Sequence, residues 1–291
     1  MASSATRTIF GWSAVVAVIA VLLNLPGLAQ QGSNVPRSAA KLYNTAKQKL
    51  LDGKQVFSYT VSQLDPELYC EAARHYDYIW LEMQHSTMTW ADLEKMIATC
   101  PGVGVPMIRL PDEFESTIQH ATDIGAIGMI EPTVDTVEKA QAVVRYSRYP
   151  PEGRRSMGRN QAGTVWGAFG PYRQTINDNM LVVVMIETPV GVANAYDIAR
   201  VPGVDVVIAA NTDLGNFSGY SPKSPEYQDM VKKIHDAAIK AGKFFGATDP
   251  SYAKGRPDSA DFRFLQNGPS FDGWQPPKRN GAGRGSTSQK Q

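Results

Sequence analysis

Cysteine is scarce in this chain. There are two among 291 residues, Cys70 and Cys100, and neither belongs to a CxxC pair. A zinc or iron–sulfur centre built on clustered thiolates is therefore excluded. An excess of charge of one sign is also lacking: Lys and Arg number 29, Asp and Glu 28, for a formal net charge of +1. With no Lys/Arg-rich block interleaved with aromatics, there is no electrostatic footprint for nucleic acid or an anionic membrane as a partner. No GxGxxG follows the first strand-like segment, which argues against a dinucleotide-binding fold. The apolar run 12–25 (WSAVVAVIAVLLNL) falls short of the ~20 residues that a spanning helix needs.

That run sits in a recognisable context. Arg7 precedes it as a positive n-region, Pro26 breaks it, and Gly27-Leu28-Ala29 places small residues ahead of a cleavage site after Ala29. This is the pattern of a Sec-type signal peptide over residues 1–29. It predicts export to the periplasm or the medium, with no membrane span left after cleavage. A polar linker over 30–40 follows. In an oxidising compartment Cys70 and Cys100 are able to pair. Two buried free thiols is the preferred reading, because spacing alone does not establish the Cα separation a disulfide requires.

A rhythm then begins. Strand-like segments fall at 55–63, 78–83, 104–109, 126–131, 180–186, 204–209, 244–247 and 262–265. Helical segments lie between them, one opened by Asp65-Pro66 and others over 89–99, 112–123, 136–147, 192–199 and 225–241. Asp65 and Thr89 are N-cap residues by type, with Pro66 at a first helical position. Residues 149–179, rich in Gly, Arg, Asn and aromatics, break the rhythm and read as a long loop with room for one helix. Eight short apolar strands separated by helices is the count of a TIM (β/α)₈ barrel, here over 41–274. A doubly wound open sheet is the alternative. The eighth helix is expected to be atypical or missing, because the chain after Phe271 is a poor helix former and 275–291 has the composition of a disordered tail. That corner would be open or covered by another subunit.

In such a barrel the active site lies at the C-terminal ends of the strands. The polar residues there are Glu82 and His85, Arg109, Glu131, Glu187, and the run Asn211, Thr212, Asp213. None of these ends carries a lysine, the nucleophile of a Schiff-base aldolase. Glu187 and Asp213 stand on successive strands and suit a hard cation such as Mg²⁺ or Mn²⁺; the bland reading is two strand caps salt-bridged to nearby arginine. Arg109 offers a planar fork to a substrate carboxylate, or forms a structural ion pair with Glu82 or Glu131. His85 is a general base or a hydrogen-bonded structural residue.

Several segments occur in a telling order: YIWLEMQHST at 78–87, the Met107-Ile108-Arg109 strand end, RYPPEGRR at 148–155, Ile186-Glu187-Thr188, and Gly203-Val204-Asp205 running on to Asp213-Leu214. Together they resemble the HpcH/HpaI family of class II, pyruvate-dependent aldolases, related to the citrate lyase β-subunit group. The resemblance implies a barrel of the phosphoenolpyruvate/pyruvate type and a divalent metal (Mg²⁺, Mn²⁺ or Co²⁺) held by Glu187 and Asp213. It implies that Arg109 holds the oxo-acid and stabilises its enolate, and that His85 serves the acid–base step. Glu82 stands where the family has an aspartate orienting that histidine. The substrates implied are a small oxo-acid and an aldehyde, and the assembly a homo-oligomer, trimer or hexamer.

Three departures from the family pattern are visible. Gly-Glu-His reads Met83-Gln84-His85. Gly-Pro-x-Asp reads Ala210-Asn211-Thr212-Asp213, which makes Asn211 and Thr212 the candidates for substrate contact there. Glu131 replaces an apolar residue and becomes a further candidate at the substrate, as an extra acid or a countercharge to Arg109. Two other readings stay open: a decarboxylase or other lyase on the same scaffold, and a secreted, non-catalytic oxo-acid-binding protein.

Overall fold

The computed structural model describes residues 42–158 and 161–277. The expected signal peptide (1–29) and linker (30–40), and the expected tail from residue 278 onward, lie outside the described residues. Among the described residues no helix is long and apolar enough to cross a membrane.

The eight expected strands are present: β1 (Val56–Val61), β2 (Tyr78–Glu82), β3 (Pro106–Arg109), β4 (Gly128–Glu131), β5 (Leu181–Ile186), β6 (Val206–Ala209), β7 (Phe244–Ala247) and β8 (Phe262–Leu265). They close into one barrel in chain order. Every pair is parallel, including β1 with β8. All residues of β2, β4, β5 and β6 are buried. This is why these segments read as unbroken apolar runs: strands covered on both faces have no solvent side to alternate with.

The helices start where side chains satisfy their first N–H groups. Asp65 accepts from Leu68 N ahead of α2 (Pro66–Ala72). Thr89 and Asp92 form a reciprocal capping box on α3 (Trp90–Thr99). The outer layer continues through α4 (Glu115–Asp123) and α5 (Val137–Ser147). Residues 149–179 hold more helix than expected, α6 (Gln161–Trp166) and α7 (Tyr172–Asn179). Buried aromatics rather than periodicity fix this stretch: Trp166 donates to Gly125 O, and Arg155 lies between the rings of Tyr149 and Tyr172. The expected helix 192–199 is two short ones, α8 (Pro189–Ala193) and α9 (Ala195–Ala199), and α10 (Asn211–Ser218) and α11 (Pro225–Lys240) follow β6.

A helix not foreseen, α1 (Thr45–Leu51), plugs the N-terminal end of the barrel. Just before it, buried Asn44 donates through Nδ2 to Ile127 O and Asn179 O, ahead of β4 and β5. Lys47 of α1 reaches Met180 O and Asp205. This end of the barrel is closed by satisfied polar groups, and the active site of such a barrel lies at the opposite, C-terminal end of the strands.

Among the described residues no α-helix follows β7 or β8. An extended strap over 268–274 lies on β1 instead. Phe271 N donates to His75 O, and Trp274 stacks on His75 and meets Tyr59 and Tyr76 edge-on. Gly268 permits the close approach, because a Cβ there would sit 1.9 Å from the Phe57 ring. Beside the strap lies a groove of about 640 Å³ lined by Gln55, Phe57, Ala253, Leu265 and Pro269.

The reading of two free thiols is overturned. Cys70 and Cys100 form a disulfide, with Cα atoms 5.8 Å apart. Packing of α2 against α3 sets that separation, which no linear spacing encodes. The bridge closes a loop of 30 residues, and constraining such a loop in the unfolded chain stabilises the fold by about 3–4 kcal/mol. The Cys70→Ser/Cys100→Ser double variant is expected to lose that amount in urea unfolding. Wild type in strong reductant should match the variant.

Candidate active site

Strand register decides which side chains meet at the open end. Glu82 pairs with Arg109, Arg109 with Ile130, and Ile130 with Val183. Alternation along β5 then carries the face of Val183 on to Glu187. Glu82, Arg109 and Glu187 therefore share the inner face at the mouth. Glu131, one residue beyond Ile130, faces the other way.

Glu82, 4% exposed, organises the β2 side. Its Oε2 accepts from Arg109 Nε at 2.7 Å, Arg109 Nη2 at 2.6 Å and Trp80 Nε1 at 3.1 Å. Its Oε1 accepts from the backbone N–H groups of Gln84 and His85, at 2.8 and 2.9 Å. Glu82 thus orients the turn that bears His85 through the backbone rather than through the imidazole. The His85 ring is exposed and makes no hydrogen bond among the described residues. The Arg109 guanidinium lies over the Trp80 ring, 5.6 Å from its centroid. Three fixed contacts hold its plane, and Nη1 makes no hydrogen bond among the described residues. Trp80 was not among the sequence candidates, although its place two residues before Glu82 on one strand puts both on one face.

Across the mouth, Glu187 is 2% exposed. Its Oε1 accepts from Thr133 N at 2.6 Å and Thr133 Oγ1 at 2.7 Å. Its Oε2 is buried and has no hydrogen-bond partner among the described residues. Burial raises the Glu187 carboxyl above the ordinary range, and the Asp213 carboxylate raises it further, while Thr133 and Arg109 act in the opposite sense. Asp213, half-buried, lies in the first turn of α10.

An orphaned carboxylate oxygen with a second carboxylate in its field fits a divalent cation. Among the described residues no three of His, Cys, Asp and Glu converge on one point. A cation would therefore rest on Glu187 and Asp213 and complete its shell from substrate and water, as Mg²⁺-type ions commonly do.

The Asn211 side chain is engaged within the fold. It is fully buried, its Nδ2 donates to Tyr227 OH at 3.3 Å, and its Oδ1 accepts from Thr248 at 3.5 Å. The start of α10 retains its capacity for an anion by another route. Its N-cap, Ala210, supplies no side-chain cap, and the first N–H groups of a helix have no intrahelical partner. Thr212 stands exposed at that start.

Glu131 is not at the mouth. It is fully buried beneath α5, with Lys139 Nζ 3.2 Å from its Oε1. Burial pushes its carboxyl up to about 8, against the opposing charge of Lys139. The unfolded chain releases this proton near ~4.3. The stability due to the group is thus fully present below that pH and is lost as pH rises towards about 8, at up to about 1.4 kcal/mol per pH unit. Glu131→Gln, neutral throughout, is expected to gain on wild type steadily across that window in urea unfolding at stepped pH. A constant difference would mean that the carboxyl is ionised beside Lys139.

The mouth thus gathers Glu82, His85, Arg109, Thr133, Glu187 and Asp213, and the chain as a whole is similar to known proteins. The profile of the HpcH/HpaI aldolase/citrate lyase family matches residues 66–254. A 2-keto-3-deoxy-L-rhamnonate aldolase of Salmonella gallinarum is 32% identical over 222 residues, covering 74% of this chain and 83% of the relative. A hydroxypyruvate/pyruvate aldolase of Chromohalobacter salexigens is 32% identical over 193 residues, covering 64% and 74%. The crystal structure of an HpcH/HpaI aldolase from Desulfitobacterium hafniense superposes with a TM-score of 0.68 at 25% identity, covering 76% of this chain and 88% of that one. With the closed barrel and the family match in agreement, the chain belongs to the HpcH/HpaI aldolase/citrate lyase family and is a carbon–carbon lyase.

Proposed function

We propose that this lyase is divalent-metal dependent and cleaves, or in reverse forms, a 4-hydroxy-2-oxo acid, with pyruvate and an aldehyde as the other partners. The observation that carries the reading is the buried, unpartnered Glu187 Oε2 in the field of Asp213 and Arg109. The aldolase names of the relatives and the general metal dependence of the family support it. Glu187 and Asp213 would hold the ion. A bound Mg²⁺, Mn²⁺ or Co²⁺ supplies Lewis-acid polarisation of the 2-oxo group, which acidifies the adjacent carbon.

The chain's own groups do the rest. The uncapped start of α10 receives the substrate carboxylate, with Thr212 beside it. In cleavage the C4 hydroxyl loses its proton, the C3–C4 bond breaks, and its electron pair passes into the C2–C3 enolate as the aldehyde leaves. Arg109, held by Glu82 and Trp80, stabilises the developing negative charge, the electrostatic contribution that is usually the largest. His85, whose ring makes no hydrogen bond among the described residues, moves the proton. A final protonation at C3 yields pyruvate.

Export through the Sec-type signal is part of the same proposal, and the Cys70–Cys100 disulfide supports an oxidising compartment. A homo-oligomer, trimer or hexamer, is the proposed assembly.

Deuterium exchange of the pyruvate methyl group tests the chemistry without knowledge of the aldehyde. Chelated protein reloaded with Mg²⁺, Mn²⁺ or Co²⁺ in D₂O should erase the methyl proton signal. No exchange with any of the three ions would remove the aldolase reading.

A further inference from the structure

Thr133 stands in the loop between β4 and α5 at φ +49°, in the left-handed region. A β-branched residue rarely takes that conformation, and an observed outlier of this kind points to a function rather than a defect. The loop is pinned on the far side of the residue: Val134 N donates to Met185 O, the Thr188 hydroxyl to Asp135, and Asn194 Nδ2 to Asp135 O. These contacts to β5 and the α8 region impose the backbone turn. Its consequence is that both donors of Thr133, N–H and Oγ1, converge on the same oxygen, Glu187 Oε1.

We infer that Thr133 is a positioning residue for the cation: by occupying Glu187 Oε1 twice, it fixes the carboxylate plane and commits Glu187 to binding through Oε2 alone. The inference rests on the metal-dependent reading above. Single-oxygen binding from Glu187 leaves coordination positions for both oxygens of a 2-oxo acid. A carboxylate free to turn would approach with both its oxygens and compete with substrate for the shell.

The test is calorimetric titration of Mn²⁺ into the chelated full chain, with near-ultraviolet circular dichroism to show that each variant is folded. Thr133→Val removes the hydroxyl and keeps the shape. Thr133→Gly removes the hydroxyl and suits the left-handed turn, so it remains informative should the valine variant fail to fold. Both are expected to weaken Mn²⁺ about 10- to 100-fold, the usual effect of losing a group that orients a ligand. Thr133→Ser, which keeps the donor, is expected to stay within about threefold of wild type, since a serine hydroxyl offers the same hydrogen bond. A merely structural role would leave all variants alike in Mn²⁺ affinity and would order them only in melting, with glycine best and valine worst. Wild-type Mn²⁺ affinity in both the valine and glycine variants would overturn the role of Thr133 and leave the proposed function standing. A wild-type chain that takes up no Mn²⁺ would overturn both.

Discussion

Arg109→Ala is expected to lower kcat/KM for cleavage of a 4-hydroxy-2-oxo acid about 10²- to 10³-fold, the scale of removing one preorganised donor from a developing oxyanion. The guanidinium is not a loose surface charge. Two of its nitrogens are fixed on Glu82 Oε2 at 2.6 and 2.7 Å, and its plane is backed by Trp80. It reaches the transition state already aligned, so little reorganisation is left for the reaction itself.

Breaking a buried ion pair by removing one partner costs roughly 3–5 kcal/mol of stability in general. Glu82 keeps the N–H groups of Trp80, Gln84 and His85, so the folding loss should fall at the low end of that range. Arg109→Lys separates charge from geometry. A lysine keeps the charge but cannot hold Glu82 through one edge while presenting another nitrogen to substrate, so most of the activity should still be lost. Steady-state kinetics beside thermal melts read both quantities. A loss under about tenfold in a folded Arg109→Ala protein would place the guanidinium outside the reacting region, since general electrostatic effects at a distance are of that small size.

Glu187→Gln is expected to reduce metal-dependent methyl exchange about 10³-fold, the equivalent of the several kcal/mol a Lewis acid supplies. The substitution keeps size and keeps an oxygen for Thr133, but it removes the charge that a hard cation needs. Its effect on stability has the opposite sign. In the metal-free protein the Glu187 carboxyl is raised by burial and by Asp213, so its ionised form is disfavoured in the fold at neutral pH. Folded and unfolded states then differ in proton binding, and that difference weakens the apo protein as pH rises. Glu187→Gln should therefore melt higher than wild type without metal and gain nothing when Mn²⁺ is added. Scanning calorimetry with and without the ion separates the two effects. A Glu187→Gln protein stabilised by Mn²⁺ as strongly as wild type would remove Glu187 as a ligand. This opposition of stability and function is expected where a binding site gathers like charges.

The barrel was legible because its strands are short, wholly buried runs set between capped helices. The cap residues Asp65 and Thr89 do in the structure what their type predicts. The eighth corner was legible in part. Poor helix formers after Phe271 announced an atypical or missing helix, but not that Trp274 would bring a strap back over β1 through His75, Tyr59 and Tyr76. Residues 149–179 were read as mostly loop because aromatic and arginine packing, rather than amphipathic period, holds their helices. Glu131 shows the limit of reading strand ends from sequence. A shift of one residue sends a side chain to the opposite face, and β4 ends one residue out of phase with the mouth.

Sequence by itself determined the local and repetitive features: where strands and helices fall, their order, and which acidic and basic residues stand at strand ends. These depend on short-range periodicity and capping, which a linear chain displays directly. Only tertiary structure decided which of those residues face one another. The register from β2 to β5 put Glu82 against Arg109 and turned Glu131 beneath α5; helix packing joined Cys70 to Cys100; and a loop pinned from β5 forced Thr133 onto one oxygen of Glu187. Glu131 meets Lys139 in the very next helix, but the other contacts join segments far apart in the chain, and all of them are set by the pleat and closure of the barrel rather than by a local pattern of residues.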